Sequence, residues 1–179
     1  MTDPVVPLTE GTATLDSLAI LLVGFSIFSA IALALTHFRS DQYRDLRAAR
    51  IAGLVLLLAL AVLQVAHFAQ LQFGQAWTAT AWYRVTLFVV APAFFVFSRP
   101  ILQPQRGATP AWMFGMHAAP ALVAWALPGW LALPLAFAIG AGYLAWLARK
   151  LYSLRGDRAD YHLELLLLGV VFAVALGVA

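Results

Sequence analysis

The stretch that decides the fold is Ala111 to Ala148, AWMFGMHAAPALVAWALPGWLALPLAFAIGAGYLAWLA, 38 residues without one charged side chain. As a single helix it would be roughly 57 Å long, about twice the thickness of a bilayer's hydrocarbon core. Leu127-Pro128-Gly129 lies near its middle. Proline there removes a backbone donor and glycine follows as a second breaker, so the stretch reads as a hairpin of two helices. A hairpin that apolar belongs in a membrane.

Working outward, similar runs recur. Leu18 to Phe38 and Ile51 to Leu71 each supply the roughly 20 apolar residues that a crossing helix needs. Only 14 residues separate Arg84 from Arg99. They cover roughly 21 Å, too little for a comfortable crossing. The third span therefore starts near Trp77 to Trp82 and carries Arg84 in its first turns. Tyr161 to Ala179 is a sixth run, with Glu164 near its start and no polar flank at its end. The expectation is a sequence cut from a longer protein, in which a seventh helix follows.

The sequence thus reads as all-α: a polytopic transmembrane helix bundle behind an extracytoplasmic tail, residues 1–17. The bundle covers 18–179, with six spans at about 18–38, 51–71, 77–98, 111–127, 130–148 and 161–179. Composition agrees, with 63% hydrophobic and 11% charged residues, where soluble domains carry roughly 25% charge. There is no cysteine, which excludes disulfides, thiolate metal sites and thiol nucleophiles. The tail MTDPVVPLTEGTATLDS has three acids and no base, unlike the basic opening of a cleaved signal peptide.

Charge placement sets an orientation. Arg39 to Arg50 holds four basic residues, Arg99 to Arg106 two, and Arg149 to Arg158 four, ten of the eleven in the chain. With six spans all ten share one side, which the positive-inside rule assigns to the cytoplasm. The N-terminus is then outside. Trp77, Trp82, Tyr83 and Trp130 fall at the outer boundary and Trp112, Trp146 and Tyr152 at the inner one, as interfacial belts do.

Few residues could carry chemistry. Of four histidines, His37 and His162 lie at the cytoplasmic boundary. His67 and His117 fall in opposite halves of the bilayer, which argues against a shared haem. No HExxH and no carboxylate–histidine spacing is present. No catalytic residue, metal-ligand set or cofactor is read, and the protein is expected not to be an enzyme. The outer half of the second span is polar, with Gln64, His67, Gln70 and Gln72. Gln64 and His67, three apart, share a helix face approximately. Arg84 enters from the same side, and an ionisable residue inside a membrane marks a functional site by default. Gln64, His67 and Arg84 are the candidate ligand-binding residues; interhelical hydrogen bonding with a snorkelling arginine is the competing, more conservative account. Glu164 reads as a boundary salt-bridge partner for Arg155 or Arg158. Pro92, Pro120 and Pro134 interrupt helices. Small-residue stripes, Ser26-Ala30-Ala34 and Gly169-Ala173-Gly177, suit close helix packing, with homodimerisation as their alternative use.

From about Trp82 onward, WYRVTLFVVAPAFFVFSRPILQP, MHAAPALVAWALP and GYLAWLARKLYSLRGDRADYHLELLLL resemble the membrane-embedded N-terminal half of certain bacterial AraC-family regulators. The resemblance covers roughly the last hundred residues. Its polar points are Tyr83-Arg84, Ser98-Arg99 and His117, with Pro92 and Pro120. It implies a sensory module in the bacterial inner membrane, N-terminus periplasmic, with transcription regulation as its output. Partners would be the lipid bilayer, an unknown small ligand or membrane signal, and DNA only through a helix-turn-helix domain absent from these residues. The family supplies no ligand-binding residues to carry over. A haem- or quinone-binding electron carrier and a small transporter or structural subunit are the alternatives from other classes.

Overall fold

The computed structural model describes residues 9–36, 46–102 and 111–153. Five α-helices and one 3-10 turn account for nearly all of them, and no strand occurs among them. They are α1 (Thr9–Thr36), α2 (Arg47–Phe73), the 3-10 turn Trp77–Ala79, α3 (Ala81–Leu102), α4 (Ala111–Ala126) and α5 (Gly129–Ser153). The sixth run, with Glu164 and its small-residue stripe, lies outside the described residues, as do His37 and His162.

Among the described residues three helices are long and apolar enough to cross a membrane: Arg47–Phe73, Ala81–Pro100 within α3, and Gly129–Ser153. α4, with 16 residues, covers about 24 Å, short of the ~30 Å core. Helix ends also depart from the expected spans. α1 begins at Thr9, so about half of the expected tail is helical. α3 begins after Thr80 and runs on to Leu102, past Pro100. The apolar run of a sequence marks the hydrocarbon zone, whereas the hydrogen-bonded helix continues into the interface.

The connections follow from local chemistry. α2 ends at Gly74, whose φ of 64° is left-handed. Gly74 N–H donates to Gln70 O at 3.1 Å and Gln75 N–H to Ala69 O at 3.3 Å. The first of these is the closing bond of a left-handed (αL) helix cap, for which a residue without Cβ is suited. The hairpin break falls where Pro128 predicts it. Leu131 and Ala132 N–H both donate to Pro128 O at 3.1 Å, so α5 starts on the proline carbonyl.

α3 is the hub: α2 packs most extensively against it, α4 and α5 pack on its other sides, and α1 lies on α2. The contact face of α2 is small. Ala52, Ala59 and Ala66 recur every seven residues and are all buried, with Leu63 between them. On α3, Phe88, Phe95 and Leu102 recur at the same interval and are buried too. Such sevenfold spacing keeps one seam facing a partner when helices cross at about 20°. Phe88 sits against Ala124 and Ala132, and Phe95 near Ala52. Large apolar side chains point outward instead: Phe25 is 67%, Leu58 65% and Leu122 76% exposed. An exterior this apolar would be unstable in water but suits lipid, where helices associate through close packing rather than apolar burial.

This packing makes a graded prediction. Ala66→Leu forces a branched side chain into a fully buried alanine site and should cost about 1–3 kcal/mol. Leu58→Ala on the outward face should change stability by less than about 0.5 kcal/mol. Unfolding in mixed micelles with increasing SDS measures both, and equal effects would contradict the seam.

Candidate functional site

The α2–α3 turn builds the site. Thr80 leaves the 3-10 turn in extended conformation and its carbonyl accepts Arg84 N–H at 3.3 Å, opening α3. Thr78 Oγ1 donates to the Gln70 side-chain oxygen, tying the turn back to the last turns of α2. The turn is thereby held above a cleft of about 650 Å³ between α2, α3 and the start of α5. Its polar lining is His67, Gln70, Thr78, Tyr83 and Arg84; Leu71, Leu87 and Leu133 are the larger apolar contributors.

Among the described residues Arg84 is the only charged one in the lining. Its Nη1 donates to Ala79 O at 2.9 Å, whereas its Nε is buried without a hydrogen-bond partner among the described residues. A Cβ placed on Gly129 would lie 4.0 Å from Nη1, so the guanidinium rests against the first residue of α5. Glycine there leaves that approach open. The three walling helices contain no Asp or Glu anywhere in their length.

His67 is oriented rather than loose. The Tyr83 hydroxyl and His67 Nε2 share a hydrogen bond of 3.1 Å, and the rings meet edge-on with centroids 5.7 Å apart. Tyr83 is 8% exposed. It is therefore an interior residue and not a member of the outer aromatic belt, because the first turn of α3 aims it at α2. Trp82, its neighbour, is 37% exposed and stacks edge-on against Trp77 at 6.0 Å.

Of the three candidate ligand residues, the structure brings His67 and Arg84 to one cleft. Gln64 does not line it. It lies nearly one turn deeper on α2 and is half-buried. Gln70 and Thr78 take part instead. Gln70 sits one turn beyond His67, which its spacing in the sequence already indicated.

A second polar cluster lies between α3, α4 and α5. His117 Nδ1 and the Tyr143 hydroxyl share a 2.6 Å hydrogen bond. Phe95 stacks against both, with centroids 4.6 and 5.3 Å away, and Trp146 closes on Phe95 at 4.5 Å. Trp146 thus makes an interhelical contact, since α5 turns it towards α3. The cluster borders a cleft of about 340 Å³. Nearby, Arg99 Nη1 approaches Met113 Sδ at 3.0 Å. His67 and His117 belong to different clefts, each with its own tyrosine. They do not converge on a shared ligand position.

The first cleft offers a cation and several hydrogen-bond donors on an apolar wall, which is an arrangement for recognition. Among the described residues no group of three His, Cys, Asp or Glu converges as metal ligands would. No family model, no curated protein and no solved structure matches the chain. The likeness to AraC-type regulators rests on the residues quoted above alone.

Removing either tyrosine hydroxyl tests whether these contacts hold helices together. Hydrogen bonds between membrane helices contribute about 0.6 kcal/mol on average, with a maximum near 1.7. Tyr83→Phe and Tyr143→Phe should each lower the unfolding free energy by an amount in that range, measured by SDS titration. No loss in either variant would show that the pairs do not form.

Proposed function

We propose that the chain is the sensory, membrane-embedded part of a transcriptional regulator, binding a small ligand in the cleft at the α2–α3 turn. The observation that carries this reading is Arg84: a partly buried cation facing a cleft whose three walling helices contain no carboxylate. A charge in such a place costs several kcal/mol unless something compensates it. A ligand is the natural compensator. α3 bears Arg84 at one end and Phe95 and Arg99 towards the other, so occupancy of the cleft can bias how α3 packs on α4 and α5. Signalling then consists of a ligand favouring one packing over another.

The topology we propose is a six-span bundle in a bacterial inner membrane, N-terminus periplasmic and the three basic segments cytoplasmic. The cleft lies in the periplasmic half. The output, in keeping with the AraC-like sequence pattern, is transcription through a helix-turn-helix domain not contained in these residues. The ten basic residues grouped in three alternate connections support this orientation.

The chain's lack of cysteine makes the topology directly measurable. In intact cells, a membrane-impermeant maleimide should label Gln75→Cys and Trp130→Cys. Arg44→Cys and Gln105→Cys should react only after permeabilisation. The opposite pattern overturns the orientation.

Function is tested by transcript profiling of cells carrying the full-length protein. Gln64→Ala, His67→Ala and Arg84→Gln are each compared with wild type and with a deletion strain. Arg84→Gln should reproduce most of the deletion profile, and His67→Ala part of it. If all three variants retain the wild-type profile, the cleft has no part in signalling.

A further inference from the structure

Resting on the reading of this cleft as a ligand site, we infer that its ligand is an amphipathic anion. An acidic head lies against Arg84 and the first turn of α5, and a hydrocarbon body runs along Leu71, Leu87 and Leu133. The geometry supports each half separately.

The head is defined by charge. Arg84 keeps Nε without a partner among the described residues while Nη1 is held by Ala79 O, so the guanidinium is anchored with donor capacity left over. A neutral ligand would leave that charge unpaired in a low-dielectric setting, and a cationic one would be repelled. The start of α5 adds to the same field. Leu131 and Ala132 N–H are engaged with Pro128 O, while Gly129 and Trp130, being first-turn residues, have no intrahelical acceptor for their N–H groups. A helix start carries partial positive charge, and here it is next to the guanidinium. Thr78 and His67 flank the position with further polar atoms.

The body is defined by the wall and the entrance. Leu71 and Leu133 border the cleft and are 49% and 47% exposed, which in a bilayer means contact with acyl chains. A ligand can then arrive from the membrane with its tail already in hydrocarbon. The cleft's 650 Å³ falls within the roughly 300–1,000 Å³ of small-molecule pockets. Free fatty carboxylates and acidic phospholipids both present this chemistry.

The test measures equilibrium binding of radiolabelled palmitate to the purified chain in neutral detergent, beside labelled hexadecanol, which has the same tail without the charge. Palmitate should bind saturably and about 10- to 100-fold more tightly than the alcohol, the range expected of a charge-assisted hydrogen bond. Arg84→Gln should bring palmitate down to the alcohol's affinity and leave the alcohol unchanged. Gly129→Leu is the second variant. It occupies the head position from an exposed site of ordinary backbone conformation and should weaken palmitate in the same way while the helical circular dichroism is preserved. Displacement of palmitate by phosphatidylglycerol at comparable concentration identifies a phospholipid head as a source. Resistance to it identifies the free carboxylate. Saturable binding of alcohol and carboxylate with equal affinity, indifferent to Arg84, overturns the anion and leaves the ligand site standing. Carboxylate selectivity without any transcript change in Arg84→Gln cells leaves the anion standing and removes the sensory role. No saturable binding of either compound overturns both.

Discussion

Everything in this bundle depends on the close approach of α2 and α3, which the alanines at 52, 59 and 66 permit. Lipid tails compete as well as leucine for an apolar surface, so burial alone gives membrane helices no reason to associate. Short side chains on one helix let the large ones of its neighbour reach the backbone, and dispersion contacts accumulate. Phe95 lies against Ala52 in this way, and Tyr83, with Leu87 and Val90, lies against Ala66. With α3 seated on α2, its other flanks receive α4 and α5, again through Ala124 and Ala132. The close fit also brings the His67 ring within hydrogen-bond reach of the Tyr83 hydroxyl.

The cleft is a consequence of how that packing ends. The Gly74 turn stops α2, and the 3-10 turn returns the chain so that α3 begins beside the last turns of α2. Arg84 falls in the first turn of α3 and is therefore directed at the gap between helices rather than along the axis into headgroups. α5 starts there as well, because Pro128 ends the preceding helix and Gly129 leaves room for the guanidinium. Three helix termini and one cation meet. A salt bridge in the cleft walls would have made the site structural, but the walling helices contain no carboxylate.

Much of this was legible from the residues, and the gaps have physical causes. The helix break at Pro128 and the position of Arg84 early in α3 could be read because proline and charge stand out against an apolar background. The sevenfold alanine seam of α2 was equally present but silent. When the outward face is as apolar as the inward one, amphipathicity carries no contrast, and alanine among leucines attracts no notice. Tyr83 reads as interfacial in the sequence because an interfacial and an interior tyrosine look alike in one dimension. The pairing of His117 with Tyr143, 26 residues away on another helix, had no sequence signal. Gln64 shares a helix face with His67 only approximately, and the departure places it outside the lining.

The central claim is that Arg84 is a cation that the described residues leave uncompensated. Its most direct test is the thermal unfolding midpoint of Arg84→Met beside wild type, both in neutral detergent without added ligand. Methionine keeps much of the side-chain volume and removes the charge. An uncompensated charge predicts a midpoint equal to or above wild type, because loss of the desolvation cost offsets loss of the bond to Ala79. A fall of several degrees would contradict the claim, for it would mean that Arg84 already has its partner within the fold.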